Sequence, residues 1–188
     1  MDEKQFNPEK ADKLLSAERE QWLPVEEVLK NLAIEKHEHL ADFGAGNGYF
    51  AVPMAKKTSG KVYAADIELT MLNMLRQRAE EENLQNISYL ESDLNRVNLP
   101  DSSIDKGLAS FVLHEVSDLK AVLKELTRVI KQDGKLLIID WAKEETESGP
   151  PLDHRISSED MENAISELGI EYQTCNMPKG SYGYLLSL

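Results

Sequence analysis

Leu40-Ala41-Asp42-Phe43-Gly44-Ala45-Gly46-Asn47-Gly48-Tyr49-Phe50 is the stretch that decides the fold. A short apolar run ends at Phe43, three glycines follow at alternate positions, and a helix-period segment over residues 49–57 begins at once. Glycines at that spacing let the chain turn tightly and bring its backbone close to a ligand. Amides exposed at the start of the following helix make a polar receptor. A plain strand–turn–helix connection rarely needs three glycines. The spacing is G-x-G-x-G, not the G-x-G-x-x-G that seats a pyrophosphate on a helix start. Asp42, two residues before the first glycine, repels a pyrophosphate. It suits a cationic ligand, such as one bearing an α-amino group and a sulfonium.

Outward from this loop, short apolar runs alternate with longer helix-period segments. Runs at residues 39–43, 61–66, 87–91, 105–110 and 135–140 alternate with helical segments at 49–57, 69–82 and 119–131. The runs lack strict polar alternation, as expected of strands covered on both faces, and the order predicts a doubly wound α/β fold. Gln132-Asp133-Gly134 reads as a turn before the fifth strand. Near the end, Ser157 or Ser158 with Glu159 and Asp160 opens a helix that runs to Leu168 and stops at Gly169. Runs at 171–176 and 181–188, joined by Met177-Pro178-Lys179-Gly180, predict an antiparallel hairpin at one sheet edge. Residues 1–35 are polar and helix-prone, with Pro8 and Pro24 at helix starts. They read as a helical cap whose Phe6 and Trp22 close one side of a pocket.

The 188 residues make one domain, long enough to fold without a disulfide or metal staple. With 21 basic and 34 acidic residues the net charge is −13, which argues against nucleic-acid and anionic-membrane partners. Cys175 is the only cysteine, so no internal disulfide and no cysteine metal cluster is expected. His37 and His39 flank the first strand without a third ligand, and no metal site is expected there. No run of 18 apolar residues occurs, and Met1-Asp2-Glu3-Lys4-Gln5 has no signal-peptide character. A cytoplasmic protein acting on a small molecule is the expectation, with the oligomeric state unreadable.

Two further acids sit at strand ends. Asp66 closes the second strand, 20 residues after Gly46, where a carboxylate can accept from two ribose hydroxyls; helix capping is its other reading. Asp93 closes the third, where it can accept from an adenine amine with Leu94 beside the ring. Ligands of open α/β sheets bind outside the carboxyl ends of strands at the switch point, so Asp42, Asp66 and Asp93 point to one crevice.

This ordered set resembles the class I S-adenosylmethionine-dependent methyltransferases, over nearly the whole chain from about residue 22. The resemblance implies a Rossmann-like α/β fold with helices on both faces of a seven-stranded sheet, order 3-2-1-4-5-7-6, strand 7 antiparallel. It implies that Asp42, Gly44, Ala45, Gly46 and Gly48 cradle the methionine part of S-adenosylmethionine, with Ser110 nearby. Asp66 and Ile67 would meet the ribose and its surroundings, and Asp93 and Leu94 the adenine. Leu99-Pro100-Asp101-Ser102-Ser103-Ile104-Asp105 looks like the family's approach to its fourth strand. Arg128-Val129-Ile130-Lys131-Gln132-Asp133-Gly134-Lys135-Leu136 looks like its entry to the fifth. The nearest branch includes quinone-biosynthesis C-methyltransferases and arsenite methyltransferases, but Cys175 alone cannot supply the arsenite ligands. The Asn-Pro-Pro-Tyr motif of amine-methylating nucleic-acid enzymes is replaced by Ser110-Phe111-Val112-Leu113-His114-Glu115-Val116.

Methyl transfer from a sulfonium is an in-line displacement governed by alignment, and it needs a base only when the nucleophile arrives protonated. His114 is the candidate base or substrate orienter; a packed strut is its alternative, and Glu115 its possible orienter. The long loop 141–155 reads as a lid, with Trp141 placed to stack on a substrate and Arg155, beside His154, to anchor an anionic one. Two rivals stay open: a non-catalytic S-adenosylmethionine-binding sensor or partner subunit, and a nicotinamide-binding oxidoreductase, for which 188 residues leave little room.

Overall fold

The computed structural model describes residues 8–188. Seven strands form one sheet: β1 (Leu40–Phe43), β2 (Val62–Asp66), β3 (Ile87–Glu91), β4 (Ile104–Ser110), β5 (Ile130–Trp141), β6 (Glu171–Cys175) and β7 (Ser181–Ser187). Their order is β3-β2-β1-β4-β5-β7-β6, with β7 antiparallel to both β5 and β6. From β1 the chain builds outward to β2 and β3, then returns to place β4 on the other side of β1, so the switch point lies between β1 and β4.

Alternation along the buried strands sends side chains to two separate cores. Leu40, Leu137 and Ile139 face one cluster with α2 (Val25–Leu32), α3 (Ala51–Lys57) and α4 (Leu69–Glu81). Ala41, Phe43, Leu136 and Ile138 face the other, with α5 (Leu119–Val129) and α6 (Ser158–Glu167). In α2, Val25, Val28, Leu29 and Leu32 are all buried, the spacing that puts one helical stripe on a sheet. Each such side chain contributes about 1.5–3 kcal/mol when removed from water. Asp118 caps α5 by accepting from Ala121 N at 3.0 Å, and Ser157 caps α6 by accepting from Asp160 N at 3.1 Å.

Two local expectations are corrected. Gln132-Asp133-Gly134 is not a free turn before β5: the strand starts at Ile130 and carries these residues as a bulge, with Asp133 at φ +69°. The ladder survives because Asp133 N donates to Leu188 O at 2.6 Å and Leu188 N to Gly134 O at 3.1 Å. The helix over residues 119–131 accordingly ends at Val129. At the other end of the chain, a 3-10 turn (Pro8–Leu15) and α1 (Ala17–Trp22) precede α2, and Phe6 lies outside the described residues. The turn lies over the glycine loop: Asn47 Nδ2 donates to Ala11 O at 2.8 Å, and Leu14 packs beside Gly46. Among the described residues no helix is long and apolar enough to cross a membrane.

Candidate active site

The glycine loop is anchored to β2 at three amides. Gly44 N and Ala45 N both donate to Ala65 O, at 2.8 and 2.9 Å, and Gly46 N donates to Asp66 Oδ2 at 2.7 Å. Glycine is obligatory at two of its positions. Gly44 has φ +75°, and a Cβ there would meet Val112 at 2.6 Å; Gly48 has φ +87°, and its Cβ would meet Leu75 at 2.1 Å. Arg78 closes the far side by donating to Asn47 O at 2.8 Å.

Asp42 sits beneath this loop, 2% exposed. Burial and the neighbouring Asp66 charge push its carboxyl up to about 7, against the opposing pull of the Ala51 amide and of Arg19. Arg19 comes from α1, which sequence reasoning did not connect to the site. Its guanidinium lies 4.8 Å from the Tyr49 ring and 5.6 Å from the Phe111 ring, and burial lowers its proton affinity. Tyr49 is fixed in turn by hydrogen bonds to Glu20 and the Leu23 carbonyl, at 2.8 and 2.6 Å.

Buried polar atoms are almost always paired. Among the described residues four are not: Arg19 Nε, Asp42 Oδ2, Asn47 Oδ1 and Ser110 Oγ. Asn47 belongs to the glycine loop, Asp42 is the penultimate residue of β1, Ser110 ends the paired strand β4, and Arg19 is within electrostatic reach of Asp42. One guanidinium nitrogen, one carboxyl oxygen and two neutral polar atoms, all buried and without hydrogen-bond partners, therefore lie around the ends of β1 and β4. An α-amino acid's ammonium and carboxylate supply the partners this set lacks, so the residues present fit the methionine end of S-adenosylmethionine.

Toward β2 and β3 the crevice opens. Asp66 Oδ1 accepts from Glu68 N at 2.9 Å, and burial raises its carboxyl above the ordinary range despite these amides. Ile67 is 42% exposed, an apolar face open to a ring. Asp93 is exposed, with Oδ1 accepting from Asn95 N at 3.0 Å, whereas Leu94 is buried in the core at φ +65°.

At the ends of β4 and β5 the structure separates the remaining candidates. His114 is 6% exposed, and its Nδ1 lies 2.6 Å from Asp140 Oδ1. Asp140, fully buried at the end of β5, also accepts from the backbone amides of His114 at 3.0 Å and Trp141 at 2.8 Å. Asp140, not Glu115, is thus the direct partner of the ring, since Glu115 Oε1 approaches Nε2 only to 3.8 Å. An acid ending an apolar strand marked Asp42, Asp66 and Asp93; the same signal was present at Asp140.

Arg155 has no capacity left for an anionic substrate. Its Nε donates to Pro150 O, Nη1 to Ala142 O and Glu144 O, and Nη2 to Thr146 Oγ1 and Ser148 O. A guanidinium has five donors, and all are used to gather loop 142–155 around it. That loop is a pinned structure, not a free lid. Trp141 is likewise engaged by the protein: Trp22 stacks on it at 5.1 Å and 13°, and Phe111 tilts against it at 4.9 Å. Substrate stacking on Trp141 would displace Trp22. Among the described residues no group of three His, Cys, Asp or Glu side chains is placed to hold a metal ion.

Residues 41–138 match the family model described as a methyltransferase domain. A crystal structure of a SAM-dependent methyltransferase from Aquifex aeolicus superposes with a TM-score of 0.89 at 31% identity, covering 97% of this chain and 98% of that one. A demethylmenaquinone methyltransferase of Geobacillus sp. (strain WCH70) is 28% identical over 63% of this chain and 51% of its own length. A ubiquinone/menaquinone biosynthesis C-methyltransferase of Rickettsia massiliae is 30% identical over 57% of this chain and 46% of its own. The chain spans about half the length of the curated relatives it matches.

Proposed function

This chain belongs to the family of S-adenosylmethionine-dependent methyltransferases, and from that premise we propose that it moves the donor's methyl group to a small planar acceptor of the quinol kind. The set of unpartnered buried polar groups at the switch point carries the reading. Arg19 holds the donor's carboxylate and Asp42 its ammonium, with Gly44, Ala45, Gly46, Gly48 and Ser110 enclosing that end. Asp66 takes the ribose through the lone pairs its two backbone amides leave. Ile67 and Asp93 border the adenine, while Leu94, expected beside the ring, packs in the core behind them.

The bound donor supplies an electrophilic methyl on a good leaving group. The chain supplies alignment and exclusion of water, which convert a bimolecular displacement into an oriented one. The Pro8–Leu15 turn covers the glycine loop, and Trp22, Phe111 and Trp141 form an aromatic wall at the ends of β4 and β5. That wall and the quinone-pathway names of the relatives support a flat ring as acceptor.

Calorimetric titration with S-adenosylmethionine, then incubation with 1,4-dihydroxynaphthalene and mass analysis for a methylated product, tests both halves. Donor binding that weakens in Arg19→Ala, and a methylated naphthol, are expected. Binding without methylation removes the quinol acceptor and leaves the donor site standing; binding of a nicotinamide cofactor instead removes both.

A further inference from the structure

We infer that Asp140 is a positioning residue that fixes the His114 ring so that Nε2 takes a proton from the methyl acceptor, and hence that the acceptor arrives with an ionisable O–H or N–H. The inference rests on the methyl-transfer reading above and adds to it the chemistry that precedes the displacement.

The geometry carries it. Asp140 is fully buried and holds three donors from two elements: His114 N, Trp141 N and the His114 ring. A carboxylate can only accept, so Nδ1 bears the hydrogen and the neutral ring keeps its lone pair on Nε2. Nε2 makes no hydrogen bond among the described residues, yet it is not one of the orphaned atoms sealed from solvent. Glu115 Oε1 faces it at 3.8 Å, beyond hydrogen-bond distance. His114 also lies on the Leu113–Glu115 turn, directly after Val112, whose methyls press on Gly44, so the ring sits one turn from the donor loop. A strut needs only one anchored nitrogen; here the second makes no hydrogen bond and has Glu115 Oε1 3.8 Å away.

Charges on every neighbouring element set the ring's protonation. Burial works against the imidazolium, and the Asp140 carboxylate outweighs it by charge and hydrogen bond. Glu115, on the same turn, adds to Asp140; Arg155, before α6, opposes both. Tyr182 of β7 lies opposite Asp140 in register, and Asp160 of α6 lies within electrostatic reach of Tyr182. The net effect raises the histidine above its usual range.

In the step itself the acceptor's O–H proton passes to Nε2. The electron pair left on oxygen, or on a ring carbon conjugated with it, forms the bond to the methyl carbon. That carbon's bond to sulfur breaks with its pair kept by sulfur, so the sulfonium ends as a neutral thioether. His114 ends as an imidazolium beside the Asp140 carboxylate and returns its proton to solvent.

Two measurements test this. The ligand-free protein, labelled with ¹⁵N-histidine, is titrated by NMR, with His114→Gln assigning the resonance. The expected neutral ring carries its proton on Nδ1 and titrates above about 6.5. In Asp140→Asn the midpoint falls and the tautomer preference disappears; an unchanged midpoint and tautomer overturn the proposal. In the second arm, with S-adenosylmethionine and 1,4-dihydroxynaphthalene, Asp140→Asn lowers kcat about 10²-fold. Its KM changes by less than about twofold, and the acidic limb of kcat follows the NMR midpoint. Equal kcat and equal pH profile in the two proteins overturn the proposal. Should Asp140→Asn not fold, His114→Gln stands in, with the same loss expected and equal turnover overturning it. If the wild-type protein binds no S-adenosylmethionine, the methyl-transfer reading falls. If it binds donor but leaves this naphthol unmethylated, the NMR arm decides on Asp140.

Discussion

Asp66 accepts the amide hydrogen of Gly46 at 2.7 Å, so the middle glycine of the loop is tied to the tip of the neighbouring strand by a carboxylate. The tie joins residues 20 apart in sequence and sets the loop's shape before any ligand arrives. Hydrogen bonds to a charged group contribute about 1.5–3 kcal/mol each. Asp66→Ala removes this one, the Glu68 amide bond and the proposed ribose contacts together. Calorimetry should show S-adenosylhomocysteine binding at least about tenfold weaker, about 1.4 kcal/mol. Unchanged affinity would place the ribose elsewhere.

Asp42 links pH to stability with a definite sign. Its carboxyl rises from an ordinary 3.8 to about 7 in the folded protein, so the folded state holds a proton that the unfolded state has already lost. Stability attributable to Asp42 is therefore undiminished below about pH 4 and declines as pH rises toward 7, by up to about 4 kcal/mol at about 1.4 per tenfold change in proton affinity. Asp42→Asn should melt higher than wild type at pH 8, with that gain shrinking at pH 4, while losing affinity for S-adenosylmethionine. A melting difference independent of pH would show that Asp42 is ionised throughout.

Gly48 and Gly169 separate backbone strain from collision. Both have positive φ, +87° and +70°, but an added Cβ meets Leu75 at 2.1 Å in the first case and nothing within 4 Å in the second. Gly169→Ala should cost about 1–2 kcal/mol from conformation alone. Gly48→Ala should cost about 1–3 kcal/mol beyond that, because Leu75 must move in a packed core. Urea denaturation of the two variants makes the comparison; equal losses would mean that Leu75 yields freely.

Arg155 should behave as the centre of its loop. Arg155→Ala leaves five acceptors on residues 142–150 without their donor. Limited proteolysis should then cut within this stretch, at sites protected in the parent, and hydrogen exchange of its amides should rise. Arg155→Lys restores charge without the planar fork and should rescue little. A loop equally protected in all three proteins would deny Arg155 that role.

Much of the architecture was legible because the central strands read as apolar runs and α3, α4 and α5 as helix-period segments between them. The glycine spacing fixed the loop, and Ser157 and Gly169 marked the ends of α6. What escaped was tertiary. Arg19 lies on a polar helix of six residues, and nothing in that helix's own pattern says it comes within electrostatic reach of Asp42. Asp140 stands 26 residues from His114, and only the pairing of β4 with β5 brings their ends together. Arg155 read as a substrate anchor because four of its five acceptors are backbone carbonyls, which carry no residue-type signal. The start of β5 was hidden for a similar reason, since Asp133-Gly134 has turn chemistry and stays in the ladder only through Leu188.

The unequal freedom of the three loop glycines has a bearing on engineering the protein for bulkier sulfonium analogues. Gly44 and Gly48 face a branched valine and a core leucine with no space to give, whereas Gly46 meets only the tips of Met71 and Leu14, at 3.4 and 3.5 Å. Trimming Leu14 or Met71 enlarges the vestibule without disturbing the turn's backbone. Leu14 and Met71, rather than the glycines themselves, are therefore the positions at which space beside this loop can be changed.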